Sequence, residues 1–439
     1  MKTRVVMVIA LVCALCGCPV GGGTTYTVGG TLTGLLGSGL VLQINGGDNL
    51  AFSASGTFDF GTQLANGAAY AVTVATQPSN PAQTCTAHNA SGSINKSDIT
   101  NVIVSCTQTG RFAYVADLQS DTVSAYAIDS GNGALVPISG SPFAVGGTAP
   151  TALTIDPNGQ FLFVANSGSN TVSIFSIDVN AGVLTQVGIP VATGNGPNAL
   201  AIDPTDHYLY VANLTDGTLS AYTLDSGTLT PIAGFPVTVG DEPASLAIDP
   251  SGNFLYATNF TGNNVTVFLI DLSNGVLTNV SGSPFGAGAG PLSIAIDPTD
   301  AFAFVANEGA NSLSAYSLNA TNGSLTPVAG SPFPAVTNPE SLVVDPAGRY
   351  VFAANAEAAN QIATYSITPS SGVLTLLSTA PAESLPVGIA IDGSGLFLYA
   401  VNFNSNDVSA YTVAPSGALT PVAGSPFAAG GQPHAVVID

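Results

Sequence analysis

The residues of this chain that could do chemistry stand at one rung of a regular ladder. A proline recurs at positions 150, 197, 243, 291, 339, 386 and 433, in steps of 46 to 48 residues. The residue that follows it is, in turn, Thr151, Asn198, Ala244, Leu292, Glu340, Val387 and His434. Glu340 and His434 are the ionisable members. A carboxylate and an imidazole that converge across a small cavity form an acid–base pair able to open an ester or lactone with water. His434 is therefore the candidate general base, with Glu340 as the acid or as the group that orients it. Thr151, Asn198 and Glu242 join these two as candidate ligand-binding groups, and Asp241, Glu308, Glu357 and Glu383 fall in loops expected on the same side.

The elements that position these residues come from a unit of about fifty residues written seven times. An aspartate closes each copy, at 156, 203, 249, 297, 345, 392 and 439. Fixed spacing of this kind marks a repeat architecture. Each unit offers four short apolar runs separated by turn chemistry, as in "ALAID", "YLYVAN", "TLSAY" and "TLTPI". The "IDPTD", "IDPSG" and "IDPAG" segments read as tight turns, with Asp accepting from backbone amides and Pro presetting φ. Four antiparallel strands make a sheet that must bury both faces, and radial stacking covers them while leaving only short edges. The expectation is a seven-bladed β-propeller over residues 109–439. The repeats open at Phe112 without an inner strand, and the "HAVVID" segment ending at Asp439 is a spare one. Pairing the two would close the ring and remove an open edge.

Two further ladders read as packing. Tyr126, Phe175, Tyr222, Phe268, Tyr316, Tyr365 and Tyr411 recur in the third strand and are expected in the core between blades. Asn166, Asn213, Asn259, Asn307, Asn355 and Asn402, with Asp117 in the first copy, end the second strand and read as caps on the following loop. Asp129–Asn132 and Asp297–Asp300 resemble fragments of a calcium loop, but both fall at repeat turns and a calcium site needs six or more oxygens. The sequence carries no zinc signature, phosphate-cradling loop or Gly-x-Ser-x-Gly elbow, so no metal or cofactor is expected.

Ahead of the repeats, residues 1–18 read as a bacterial export signal. Lys2 and Arg4 are followed by an apolar run from Val5 to Leu15, too short to span a membrane. Leu15-Cys16-Gly17-Cys18 resembles a lipobox, which implies a lipid anchor on Cys18. Residues 19–25 form a Gly-rich tether. Residues 26–108 show alternating strands that suggest a small β-sandwich, immunoglobulin-like or transthyretin-like. Cys85 and Cys106 fall within it and are expected to pair in an oxidising compartment, stabilising it by roughly 3 kcal/mol. The location expected is the cell envelope. Pro19, where inner-membrane retention commonly shows Asp, favours the outer membrane or cell surface.

Composition narrows the partners. Five Lys and Arg stand against 26 Asp and Glu, a formal charge of −21. Phosphate backbones need clustered cations, so nucleic acid is excluded as a partner, and the membrane is met only through Cys18. The expected partner is a protein, a glycan or a small neutral ligand at the channel face of a monomer.

The "YVAN" at 210–213, the "FVAN" at 163–166 and 304–307, and the "GSPF" at 140, 282, 330 and 424 resemble YVTN-type propellers. These are grouped with the seven-bladed 6-phosphogluconolactonase-like family, and the resemblance covers all seven repeats. It implies a lactonase fold. Family lactonases place Arg and His after the blade-entry proline, and His434 is the position that matches. No lysine and one arginine, Arg349, occur in residues 112–439, so a phosphorylated sugar acid would lack its counter-charge. Two functions follow as expectations: a lipid-anchored binding or scaffold module, and a hydrolase of an uncharged lactone or ester using His434 and Glu340.

Overall fold

The computed structural model describes residues 24–35, 39–78, 83–108, 112–356 and 360–439. The export signal, Cys18, Arg111 and Glu357 lie outside them. Every described element is a strand. The chain divides into two compact units, one of residues up to Gln77 with Cys85–Ser105, the other of Pro78–Thr84 with Cys106–Asp439.

The N-terminal region holds two four-stranded sheets and a two-stranded one. One sheet runs Gly56–Asp59, Val28–Thr33, Ile99–Gln108 and Gln83–His88, its central pair parallel with Leu32 opposite Val104. The other runs Gly47–Phe52, Leu40–Ile44, Ala69–Thr76 and Ser91–Ser93. Leu40, Leu42 and Ile44 alternate buried with half-buried Val41 and Gln43, the period-two pattern of a sheet with one face in a core. Cys85 and Cys106 are disulfide-bonded.

The C-terminal unit carries the seven blades. The second is representative: Pro150–Ile155 is innermost, then Phe161–Asn166, Thr171–Ile177 and Leu184–Gln186 outward. The first blade takes its inner strand from the far end of the chain. Pro433–Ile438 pairs antiparallel with Phe112–Asp117, Val436 opposite Val115. The Asp439 carboxylate accepts from the Phe112 amide at 2.8 Å, and the Asp439 amide donates back to the Phe112 carbonyl. Inner strands touch their neighbours all round the ring, including Pro433–Ile438 against both Pro150–Ile155 and Pro386–Ile391.

Core lies between blades. Tyr210 and Leu219 of the third blade cluster with Leu255 and Phe268 of the fourth, and Tyr126 of the first with Tyr399 and Val408 of the seventh. The Tyr126 and Tyr411 hydroxyls donate to the Ala428 and Pro381 carbonyls, each at 2.6 Å. The Asn ladder bonds chiefly across its own hairpin rather than to the loop that follows it. Asn166 is fully buried and its Nδ2 donates to Thr171 and Ser173 on the next strand; Asn213 treats Thr218 and Ser220 the same way. These residues stitch the second strand to the third. Their spacing of five and seven residues across the hairpin puts both hydroxyls on the side chain's own face.

The closing aspartates serve their turns as expected. Asp297 Oδ1 accepts from the amides of Ala301 and Phe302, both at 2.7 Å. Asp129 likewise accepts from the Gly131 amide and from Asn132 Nδ2. No cluster able to hold a metal ion occurs among the described residues.

Candidate functional site

The way the chain enters each inner strand sets the site. The residue before every ladder proline has φ between about 51° and 66°, although only Gly196 and Gly290 are glycines. Ala149, Glu242, Asn338, Leu385 and Gln432 hold the same left-handed turn at a cost of roughly 1–2 kcal/mol each. The turn aims each of their carbonyls at the amide just past the ladder Asn: Ser167 N–H donates to Ala149, Leu214 to Gly196, Phe403 to Leu385 and Leu118 to Gln432. Chain reversal is thus pinned at the mouth, and the residue after the proline is delivered to the central channel.

All seven of those residues line one cavity of about 420 Å³. Glu340 and His434 therefore share it, on inner strands two blades apart. Their neighbours along each strand form two further tiers. The second tier holds only Ala, Ser and Gly, and the third holds Leu153, Leu200, Leu246, Ile389 and Val436. The cavity wall carries no Lys or Arg among the described residues. Arg349 instead pairs with Asp345 at 2.8 Å in an inner turn, its guanidinium over the Tyr350 ring.

Three of the polar first-tier side chains bond to the next blade. Thr151 Oγ1 donates to the Pro197 carbonyl at 2.8 Å, Asn198 Nδ2 to Ala244 at 3.0 Å, and His434 Nδ1 to Thr151 at 2.8 Å. A carbonyl can only accept, so Nδ1 of His434 carries the proton and Nε2 carries the lone pair. Burial pushes the His434 pKa down, partly countered by the Thr151 carbonyl, so the ring is neutral at physiological pH. Phe403 lies across the imidazole edge-to-face, with ring centroids 6.2 Å apart. Gly388 on the adjacent strand leaves room for the His434 backbone: a Cβ there would sit 2.8 Å from the His434 carbonyl oxygen.

Glu242 belongs elsewhere. It is exposed beside its ladder proline and off the cavity wall, and its carboxylate accepts from the Thr261 hydroxyl. Asp241 and Glu383 are likewise exposed, and Glu308 accepts from Asn338 Nδ2 at 3.3 Å. The contacts that sequence reasoning missed are Phe403 and the wall serines Ser245 and Ser293, whose hydroxyls accept the Ile294 and Leu342 amides of the next blade. The position just after the ladder Asn was the available signal for Phe403, because it returns to the mouth in every repeat.

The model of the family described as "Lactonase, 7-bladed beta-propeller" matches residues 69–196, 189–284 and 282–438. The chain belongs to this family. Among solved structures, a candidate 6-phosphogluconolactonase from Bacteroides uniformis aligns over 76% of this chain and 100% of its own, at 21% identity and a TM-score of 0.68. The periplasmic gluconolactonase PpgL of Pseudomonas aeruginosa aligns over 74% of this chain and 98% of its own, at 19% identity and a TM-score of 0.65. No curated protein matches the chain. At these identities the likeness carries the fold of the lactonase propeller, and the chemistry must be argued from the channel.

Proposed function

We propose that this lactonase-family propeller binds a small uncharged lactone in its channel and hydrolyses it, with His434 as general base. The observation that carries the proposal is the His434 Nδ1 bond to the Thr151 carbonyl, which leaves Nε2 as the basic atom of a neutral imidazole in the cavity. In the reaction, Nε2 takes a proton from water as the oxygen forms a bond to the lactone carbonyl carbon. Collapse of the tetrahedral adduct breaks the ring C–O bond, and Nε2–H returns the proton to the departing alkoxide. The product is an open hydroxy acid. Glu340 shares the cavity to orient the water or the ligand, and Asn198 has a second amide hydrogen beyond the one given to Ala244. The lack of wall cations argues against phosphorylated substrates.

A second proposal, ligand binding without turnover, draws on the three blade-to-blade bonds: His434 makes the same kind of tie as Thr151 and Asn198. Neutral lactones assayed against wild type and His434→Ala separate the two. Hydrolysis that falls by a hundredfold or more in the variant, with the fold intact, supports catalysis; silence from wild type across the panel leaves the binding module. The export signal and lipobox-like segment support placing the protein in the cell envelope on a Cys18 lipid, outer membrane or surface, with the N-terminal sheets as spacer. The mass of the mature N-terminal peptide tests that anchor.

A further inference from the structure

We infer that the lactone taken by this channel carries an apolar alkyl or acyl arm, which lies down the channel while the ring stays at the mouth beside His434. The inference rests on the channel being the ligand site proposed above, and it concerns what fills the channel rather than whether turnover occurs. The charged, amide and imidazole side chains of the wall stand at one depth. Glu340, His434, Asn198 and Thr151 all belong to the first tier, nearest the mouth. Below them the second tier is of small residues, three of them serines, and the third tier is aliphatic, each of its side chains also packing between blades.

Part of the hydrogen-bonding capacity of the wall is taken up by neighbouring blades. Thr151 and Asn198 donate to carbonyls of the next blade, and Ser245 and Ser293 accept amides from it. A polyhydroxylated sugar lactone that reached past the serine hydroxyls of the second tier would find no polar side chain in the third, and each polar group buried without a hydrogen bond is costly. An aliphatic arm has the opposite preference: each buried methylene is favoured by the transfer of apolar surface from water. A cavity of about 420 Å³ is within the ordinary range for small-ligand sites, and its lower wall is of the apolar kind that such sites use.

The test is a homologous series: δ-valerolactone and δ-lactones bearing propyl, pentyl and heptyl arms, with glucono-δ-lactone as the polyhydroxylated comparison. Affinity is read by calorimetry on the full chain carrying His434→Gln, and hydrolysis on wild type. Affinity should rise about three- to fourfold per methylene over the first several carbons, and glucono-δ-lactone should bind more weakly than the alkyl members. Leu246→Asn, in the third tier, should flatten that rise; Leu200→Asn, a half-buried residue of the same tier, is the alternative should Leu246→Asn fail to fold. A chain-length rise without turnover by wild type would support the apolar arm and remove the hydrolytic proposal. A flat series, a preference for glucono-δ-lactone, or a rise that both Asn variants leave unchanged would overturn the inference.

Discussion

Asp117 offers the sharpest test of how this ring is held. It occupies the rung that Asn fills in the other six blades, and it is fully buried. Its oxygens accept from the Thr122 and Ser124 hydroxyls and from the Gly430 amide. Burial outweighs those bonds and pushes its pKa up from 3.8 to about 6. The gap corresponds to about 3 kcal/mol in favour of the protonated carboxyl. The sign follows from linkage. A carboxyl whose pKa is higher in the folded state contributes stability that is fully present below about pH 4 and lost as pH rises through about 6. Asp117→Asn supplies the neutral side chain used by the other blades, whose Nδ2 can donate to Thr122 and Ser124 as Asn166 does to Thr171 and Ser173. At pH 7.5 the variant should be about 2–3 kcal/mol more stable to urea, followed by far-UV circular dichroism, and the advantage should shrink towards zero near pH 4. A variant no more stable at pH 7.5, or a gap that does not change with pH, would refute the reasoning.

Other outcomes follow from the same geometry. Hydrolysis by wild type should rise with pH through an apparent pKa below the ordinary 6.5 of histidine and then stay level, because burial holds His434 neutral; a rise centred above 6.5 would contradict that assignment. Ala149→Gly relieves a φ of 52° at a rung where Gly196 and Gly290 already stand, and should raise the unfolding free energy by about 0.5–1 kcal/mol, net of glycine's greater freedom in the unfolded chain. Gly388→Ala should lower it by about 1–3 kcal/mol, since the added methyl meets the His434 carbonyl and Val401, and an unchanged melting curve would show that the seam is looser than described.

Much of this architecture can be read from the residues because it is written seven times. Regular spacing of proline and aspartate marks the inner strands and their turns, and the spare apolar segment before Asp439 announces closure with Phe112–Asp117. The residues after the ladder proline could be placed at the mouth on the same grounds. What could not be read depends on how neighbouring blades meet. That Thr151, Asn198 and His434 bond to the carbonyl of the following blade is a matter of interstrand offset, which no single repeat encodes. The Asn ladder reads as loop caps in the sequence because its partners across the hairpin become visible only once the register is known. Glu242 resembles a mouth residue by position, but its left-handed φ of 56° leaves its carboxylate on Thr261 and off the cavity wall.

His434 rides on the strand that seals the ring. Phe112 and Asp439, the hydrogen-bonded pair at that seam, are 327 residues apart. The first repeat is therefore finished by a strand that follows the seventh, and the pocket is completed with it. Occupancy and sealing share one free energy: a molecule gripped by His434 also latches the circle shut, by about 2.7 kcal/mol at a hundredfold excess over its dissociation constant. On the proposed reading, the ligand of this channel is also its lock.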